Sequence, residues 1–150
     1  MKADELMIGD WVYAKVQVDD TGTEPVYERT PKRVTDLTKG INGIYVEGTS
    51  TFAGAEIEPI PLTAEILEKN GFILHLDAAR HPQCRYFECA DWNVGWCVNL
   101  YPVPNCKYFL ETSARMERTI AKTTTAKVIE YVHDLQHALM YSEIEKEIVL

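Results

Sequence analysis

The first third of the chain alternates apolar and polar positions at the two-residue period of β-strands. The first such segment, 11–18, places small apolar side chains on one face: Val12, Ala14, Val16 and Val18. Extended segments follow at 26–38 and 44–47, and Asn42-Gly43 suits a tight hairpin between them. Because strands this short must curl to protect their edges, the pattern predicts a small curled sheet or an SH3-like barrel in an N-terminal module, residues 1–60.

A helix with both ends marked follows this module. Thr63 is a suitable N-cap, because its hydroxyl can accept a hydrogen bond from a free backbone N–H of the first turn. At the other end, Gly71 can adopt the left-handed conformation that closes many helices, and Phe72 supplies the apolar residue that folds back on the last turn. These signals predict a helix over residues 63–70.

Beyond this helix, the pattern predicts an antiparallel meander and a C-terminal helix. The expected strands are 72–77, 85–89, 95–101 and 107–111, with a further short strand at 118–122. Thr123–Thr125 offers caps for a helix over about 126–144. An apolar stripe in this segment falls at helical spacing and is expected to lie on the meander: Val128, Tyr131, Val132, Leu135 and Leu139. The predicted fold class is therefore α+β, with an α+β C-terminal module at 61–150.

Composition and charge limit the classes of protein that this chain can be. With 46% hydrophobic residues in a length of 150, it can bury one core or two small ones. No apolar stretch has the length of a membrane span or a signal peptide, so the expected location is cytoplasmic. The net charge of −8 is spread over both halves, which disfavours direct binding of nucleic acid.

The sequence contains no assembled catalytic motif. It has three serines, at positions 50, 113 and 142, and none lies in a Gly-x-Ser-x-Gly elbow. It also lacks a glycine-rich phosphate loop with a following lysine, and a GxGxxG segment. We therefore predict no catalytic residue and no cofactor.

Two histidines four residues apart are the strongest candidates for metal ligands. His133 and His137 would lie one turn apart on the same helix face, which suits two ligands of one zinc ion. The segment approaches the zinc-protease pattern H-E-x-x-H, but Asp134 is one methylene shorter than the glutamate base, and no third ligand follows at a recognised spacing. The alternative is that both histidines are polar residues beside the apolar stripe.

The four cysteines do not follow the paired spacing of zinc sites, so reduced thiols are expected. Four, seven and eight residues separate the successive cysteines Cys84, Cys89, Cys97 and Cys106. If the hairpin turns about Asn93, Cys89 and Cys97 face each other across two strands, as a thiol pair would. The alternative is that both are small buried apolar side chains.

Aromatic residues are concentrated in the meander. The segment 86–109 holds seven of the fifteen: Tyr86, Phe87, Trp92, Trp96, Tyr101, Tyr108 and Phe109. Such a density can form a ligand platform, although aromatics at alternate strand positions more often form a core. Trp92, in a predicted turn, and Trp11, at the start of the first strand, are the candidate residues of an interaction surface.

Three segments, in the same order, resemble the landmarks of an uncharacterised family common in gut-bacterial genomes, prophages and mobile elements. They are LMIGDW at 6–11, IEPIPLTAEILEKNGF at 57–72 and YVHDLQHAL at 131–139. Family members carry an "IGN-W/Y-V" start, an "I-x-PIPLTEEWLLKFGF" centre and a "YVHQLQNLYFALTG" end. The resemblance implies a mobile-element or prophage origin and implies no activity. It supplies only the first histidine of the pair, because the family has asparagine at the position of His137.

These observations lead to one expected function and two alternatives. The expected function is that of a non-enzymatic cytoplasmic protein that binds another protein or itself, because short sheets expose strands at their ends. The first alternative is a small metal-dependent hydrolase centred on His133 and His137. The second is nucleic-acid contact through the N-terminal barrel, for which binding would weaken steeply with salt.

Overall fold

The part of the chain that the structure describes forms two antiparallel sheets and two short helices, which confirms the α+β class. The computed structural model describes residues 5–19, 26–38, 43–48, 57–76, 85–116, 119–121 and 127–150. Asn42 and the predicted caps Thr123–Thr125 lie outside these residues. Neither of the helices in this part of the chain is long and apolar enough to cross a bilayer. The chain divides into two compact units, one comprising Met1–Pro61 with Tyr131–His133 and the other Leu62–Glu130 with Asp134–Leu150.

The first unit contains a four-stranded antiparallel sheet. Its strands are β1 (Trp11–Asp19), β2 (Val26–Thr38), β3 (Gly43–Val46) and β4 (Ile57–Pro59), in the spatial order β3-β2-β1-β4. Over the described residues this sheet is open, with β3 and β4 at its two edges. Its closure into an SH3-like barrel is therefore not shown.

One face of this sheet forms the core of the first unit. The alternation predicted for β1 is present over 11–14, because Val12 and Ala14 are buried while Trp11 and Tyr13 are half-buried; the side chains of Val16 and Val18 lie outside the described part. The core residues come from all four strands and from the segment before them: Leu6, Val12, Ala14, Val34, Ile44, Val46 and Ile57.

The first helix, α1 (Ala64–Lys69), belongs to the second unit and has the predicted ends. The Thr63 hydroxyl accepts a hydrogen bond from the N–H of Ile66 at 3.3 Å, as an N-cap does. Gly71 has a φ of 76°, and its N–H and that of Phe72 donate to carbonyls of the last turn at 2.9 and 3.0 Å. This Schellman arrangement satisfies carbonyls that the helix itself leaves free, so the predicted helix is confirmed.

The second unit contains the larger sheet. Its strands are β5 (Ile73–Leu76), β6 (Arg85–Asp91), β7 (Trp96–Val103), β8 (Lys107–Met116), β9 (Thr119–Ala121) and β10 (Lys127–Ile129). The first four form the predicted meander by antiparallel pairing of successive strands. Both β9 and β10 pair with β8, so the spatial order is β10-β8-β7-β6-β5 with β9 beside β8.

The predicted start of the C-terminal helix is wrong. The helix α2 extends over Val132–Tyr141, whereas 127–129, expected to be its first turn, forms β10. In β10, Val128 is exposed and Ile129 is buried, which is the alternation of a strand, and both are β-branched residues that favour strands. Hydrogen bonding to β8 therefore takes priority over the helical spacing of the apolar stripe.

The two faces of the second sheet differ in burial. On one face, alternate residues of the central strands are almost completely buried: Phe87, Cys89, Val98, Leu100, Leu110 and Thr112. The Ser142 hydroxyl, directly after α2, lies 3.4 Å from that of Thr112, so the end of α2 lies against this face. We call it the covered face. The opposite face, whose aromatic side chains are only half-buried, is called the open face.

A buried asparagine connects the backbone of Val149 to α1. The Asn70 side chain donates to the carbonyls of Ile66 and Val149, and its oxygen accepts from the N–H of Val149, all at 2.8 Å. A side-chain amide thus pairs with the backbone of Val149 as a neighbouring strand would. Because each buried polar group of Asn70 has a partner, its burial carries little desolvation cost.

Candidate functional site

A row of four rings crosses the open face of the second sheet. His75, Tyr86, Tyr101 and Phe109 come from β5, β6, β7 and β8, one ring from each strand. Successive ring centroids are 5.3, 5.4 and 6.5 Å apart, and the first two pairs are stacked, with interplanar angles of 21° and 28°. All four side chains are half-buried, so their rings are reachable from solvent. We call this set the aromatic row.

The strand register produces the aromatic row. His75 lies opposite Tyr86, and Tyr101 lies opposite Phe109, and residues directly opposite in an antiparallel pair share a face. The residues that alternate with them along the same strands have their side chains on the covered face. The aromatic side chains of the meander are thus divided between the buried covered face and the half-buried open face.

A second row of polar side chains lies beside the aromatic row. It consists of Glu88, Asn99 and Glu111, which are register neighbours on β6, β7 and β8. The Tyr101 hydroxyl donates to Glu111 Oε2 at 3.1 Å, and Glu88 Oε1 lies 3.9 Å from His75 Nε2. Glu88 is half-buried and places its carboxylate beside the aromatic row, an arrangement that attracts cations, whereas Glu111 is buried. We call this set the acidic row.

Cys97 is also on the open face but is not a nucleophile at neutral pH. Its side chain is 4% exposed, and its thiol donates to Asn99 Oδ1 at 3.6 Å. Burial, followed by the nearby charge of Glu88, raises the pKa of the Cys97 thiol to about 11. Because the reactive species is the thiolate, this thiol is inert near pH 7.

The predicted facing of Cys89 and Cys97 is wrong. Cys89 pairs with Val98, and Cys97 pairs with Ala90, which places the two thiols on opposite faces of the sheet. The turn holds four residues, 92–95, so its centre lies one half-residue beyond Asn93. The Asp91 carboxylate fixes this turn by accepting from the N–H groups at positions 93 and 94.

The edge strand β5 is apolar and exposed. Its relative exposures are large for apolar side chains: Ile73 63%, Leu74 43% and Leu76 68%. In the described part of the chain, β5 pairs with β6 and its other edge pairs with no strand. An unpaired strand edge presents free N–H and C=O groups that can pair with another chain.

Other sheet edges carry residues that oppose such pairing. The β10 edge of the same sheet has Lys127, and the β4 edge of the first sheet has Glu58 and Pro59. Charged side chains and proline on an edge strand disfavour the addition of a further strand. The four residues of β5 include neither proline nor lysine, so this edge has no such protection within the strand.

The two tryptophans predicted for an interaction surface lie in different places. Trp92 is exposed in the turn after β6, next to the exposed Val94, and is not part of the aromatic row. Trp11 is half-buried in the first unit, where the Arg33 guanidinium lies 4.7 Å from the centroid of its ring. This cation–π contact occupies one face of the Trp11 ring.

The two histidines considered as candidate metal ligands lie on α2. His133 is buried, and its ring is stacked against that of Tyr131, with centroids 5.7 Å apart and an interplanar angle of 4°. His137 is half-buried one turn later. Within the described residues, no group of three His, Cys, Asp or Glu side chains could hold a metal ion. The stacking of His133 gives that ring a packing role.

The sequence indicated part of this site. The concentration of aromatic residues in 86–109 drew attention to the meander and left platform and core as alternatives. The places of His75, Glu88 and Glu111 depend on which strands are neighbours and in which register. The apolar segment Ile73–Leu76 was predicted as a strand, and its place at an edge could not be derived from its own residues.

The three segments that resemble the prophage family fall on defined parts of the fold. The first precedes and enters β1, the second extends from β4 through α1, and the third lies on α2. Comparison of the chain with protein-family models, curated proteins and solved structures found no match.

Proposed function

We propose that this chain is a non-enzymatic, cytoplasmic protein of mobile-element or prophage origin that binds another protein through β5 and the adjoining open face. The observation that supports this proposal most directly is the exposed apolar edge of β5. The edge offers backbone hydrogen bonds to an added strand, and the aromatic row offers contact area beside it.

The chemistry of the open face supports binding over catalysis. A nucleophile needs a lowered pKa or an adjacent base, whereas burial raises the pKa of the Cys97 thiol. The Tyr101 hydroxyl and the Glu111 carboxylate are hydrogen-bonded to each other. Half-buried aromatic rings with polar neighbours are typical of surfaces that recognise proteins.

Capture of partners from the native host by edge variants tests this proposal. The double variant Leu74→Lys/Leu76→Lys adds two charges to the edge, which should prevent strand addition. Both side chains are exposed, so the stability cost should stay within about 0.5 kcal/mol for each. We expect the wild-type protein to capture a partner, or to self-associate in size-exclusion chromatography with light scattering, and the double variant to do neither.

Val94→Lys is the matched control, because it adds a lysine at an exposed apolar position in a turn away from β5. It should retain the wild-type interaction. A wild-type protein that is strictly monomeric and captures nothing would overturn the proposal. Capture that is equal for wild type and for the double variant would exclude β5 as the binding edge.

A further inference from the structure

We infer that the partner segment is an extended strand that alternates apolar residues with lysine or arginine. This inference rests on the proposed function and adds the chemistry of the occupant. The segment would add to β5 in the antiparallel sense, because every strand pair of this sheet is antiparallel.

The apolar half of the pattern follows from the side chains of β5. Leu74 lies opposite Phe87 in the register, so Leu74 and Leu76 project on the side of the covered face. Both are nevertheless exposed, because they stand at the edge. Side chains of an added strand on this side would lie directly beside the two leucines, and apolar residues there would bury the leucine surface.

The basic half of the pattern follows from the open face. On this side the added strand lies beside Ile73 and His75, and the Tyr86 ring and Glu88 carboxylate follow on the next strand. Successive strands are about 4.8 Å apart, so only a long side chain crosses β5 to reach β6. Lysine and arginine are long, and their charge suits both an aromatic face and a carboxylate.

The charge balance of the open face favours the same occupant. Of the two glutamates in its acidic row, Glu111 is buried and Glu88 is half-buried, so Glu88 is the carboxylate that an added strand can reach. The lysine of β8 on this face, Lys107, already forms an ion pair of 2.7 Å with Glu130. The chain as a whole has a net charge of −8, so long-range attraction also favours a basic segment over an acidic one.

Three synthetic peptides of eight residues test the side-chain pattern. They alternate valine with lysine, with threonine or with glutamate, and their affinity for the full chain is measured by fluorescence anisotropy at low and at physiological salt. We expect the valine–lysine peptide to bind at least about tenfold more tightly than the valine–glutamate peptide at low salt, with a smaller ratio at higher salt. Equal affinities would overturn the inference.

A substitution in the acidic row tests the location. Glu88→Gln should weaken the valine–lysine peptide by about threefold to fivefold and leave the valine–threonine peptide unchanged. Glu145→Gln, at an exposed position of the C-terminal segment, is the matched control and should change neither. An unchanged affinity of the Glu88→Gln protein for the lysine peptide would exclude the proposed contact.

Backbone methylation tests strand addition itself. Methylation of the backbone nitrogens of the lysine residues removes the N–H groups along one edge of the peptide. Methylation of the backbone nitrogens of the valine residues removes those along the other edge. One of the two methylated peptides should lose binding and the other should retain it, whereas equal behaviour would contradict strand addition. If Leu74→Lys/Leu76→Lys abolishes capture of the native partner while lysine and glutamate peptides bind equally, the inference fails and the proposed function stands.

Discussion

The covered and open faces of the second sheet are made by alternate residues of the same strands. In β7, Leu100 is completely buried on the covered face, whereas its neighbour Tyr101 is half-buried on the open face and hydrogen-bonded to Glu111. Both faces carry large apolar or aromatic side chains, so hydrophobicity alone does not separate them. The covered face gains its stability by exclusion of water, and the open face keeps its half-buried rings and the Glu88 carboxylate available for contact.

The largest expected effect is on the covered face. Leu100→Ala should lower the free energy of unfolding by about 2–5 kcal/mol, because it leaves a cavity among fully buried side chains. Urea denaturation followed by circular dichroism measures this loss. Leu74→Ala is the matched control at the exposed edge and should cost about 0.5 kcal/mol or less. Similar losses in the two variants would contradict the assignment of the faces.

A second effect concerns Cys97, which is buried although it lies on the open face. Its pKa is raised to about 11, so the folded state holds its proton at pH values where the unfolded chain loses it. Stability should therefore be unaffected below pH 9.0, the ordinary thiol pKa, and should fall as the pH rises towards 11, by up to about 1.4 kcal/mol per pH unit.

Comparison with Cys97→Ala separates the contribution of this thiol to the pH dependence of stability from that of the tyrosines and lysines, which titrate in the same range. Urea midpoints measured at pH 7.5, 9.0 and 10.5 should fall more steeply for the wild-type protein than for the variant. Parallel pH profiles would show that the surroundings of Cys97 do not favour its protonated form.

The smallest effect is expected on the open face. Tyr101→Phe removes the hydroxyl that donates to Glu111 and leaves the ring in the aromatic row, so unfolding should become easier by about 1 kcal/mol. The same denaturation experiment measures it. A loss as large as that of Leu100→Ala would mean that this face belongs to the core, and the proposed binding surface would then be wrong.

Local signals in the sequence predicted the local structure well. Thr63 and Gly71 act through backbone groups within a few residues, and the helix between them has the predicted ends. The meander strands were also predicted, because their residues alternate at the strand period. The error at Lys127–Ile129 arose because pairing with β8 is a long-range interaction, which the spacing of a single segment does not contain.

The candidate site was harder to predict than the fold because it depends on register. A shift of one residue at the turn after Asp91 separates Cys89 from Cys97, and the same register aligns Tyr86 with Tyr101. His75 and Glu88 contribute to the open face only because β5 pairs with β6. For the candidate ligands His133 and His137, helical spacing gave two possible ligands and no third, and the described residues contain no group of three ligands.

The amide of Asn70 has a consequence for biosynthesis. Its partner in the backbone, Val149, is 79 residues later in the chain. At a translation rate of about 5–20 residues per second, roughly 4–16 s pass between the synthesis of the two residues. During this interval the Asn70 side chain lacks its backbone partner, so this contact cannot contribute to folding until residue 149 has been synthesised.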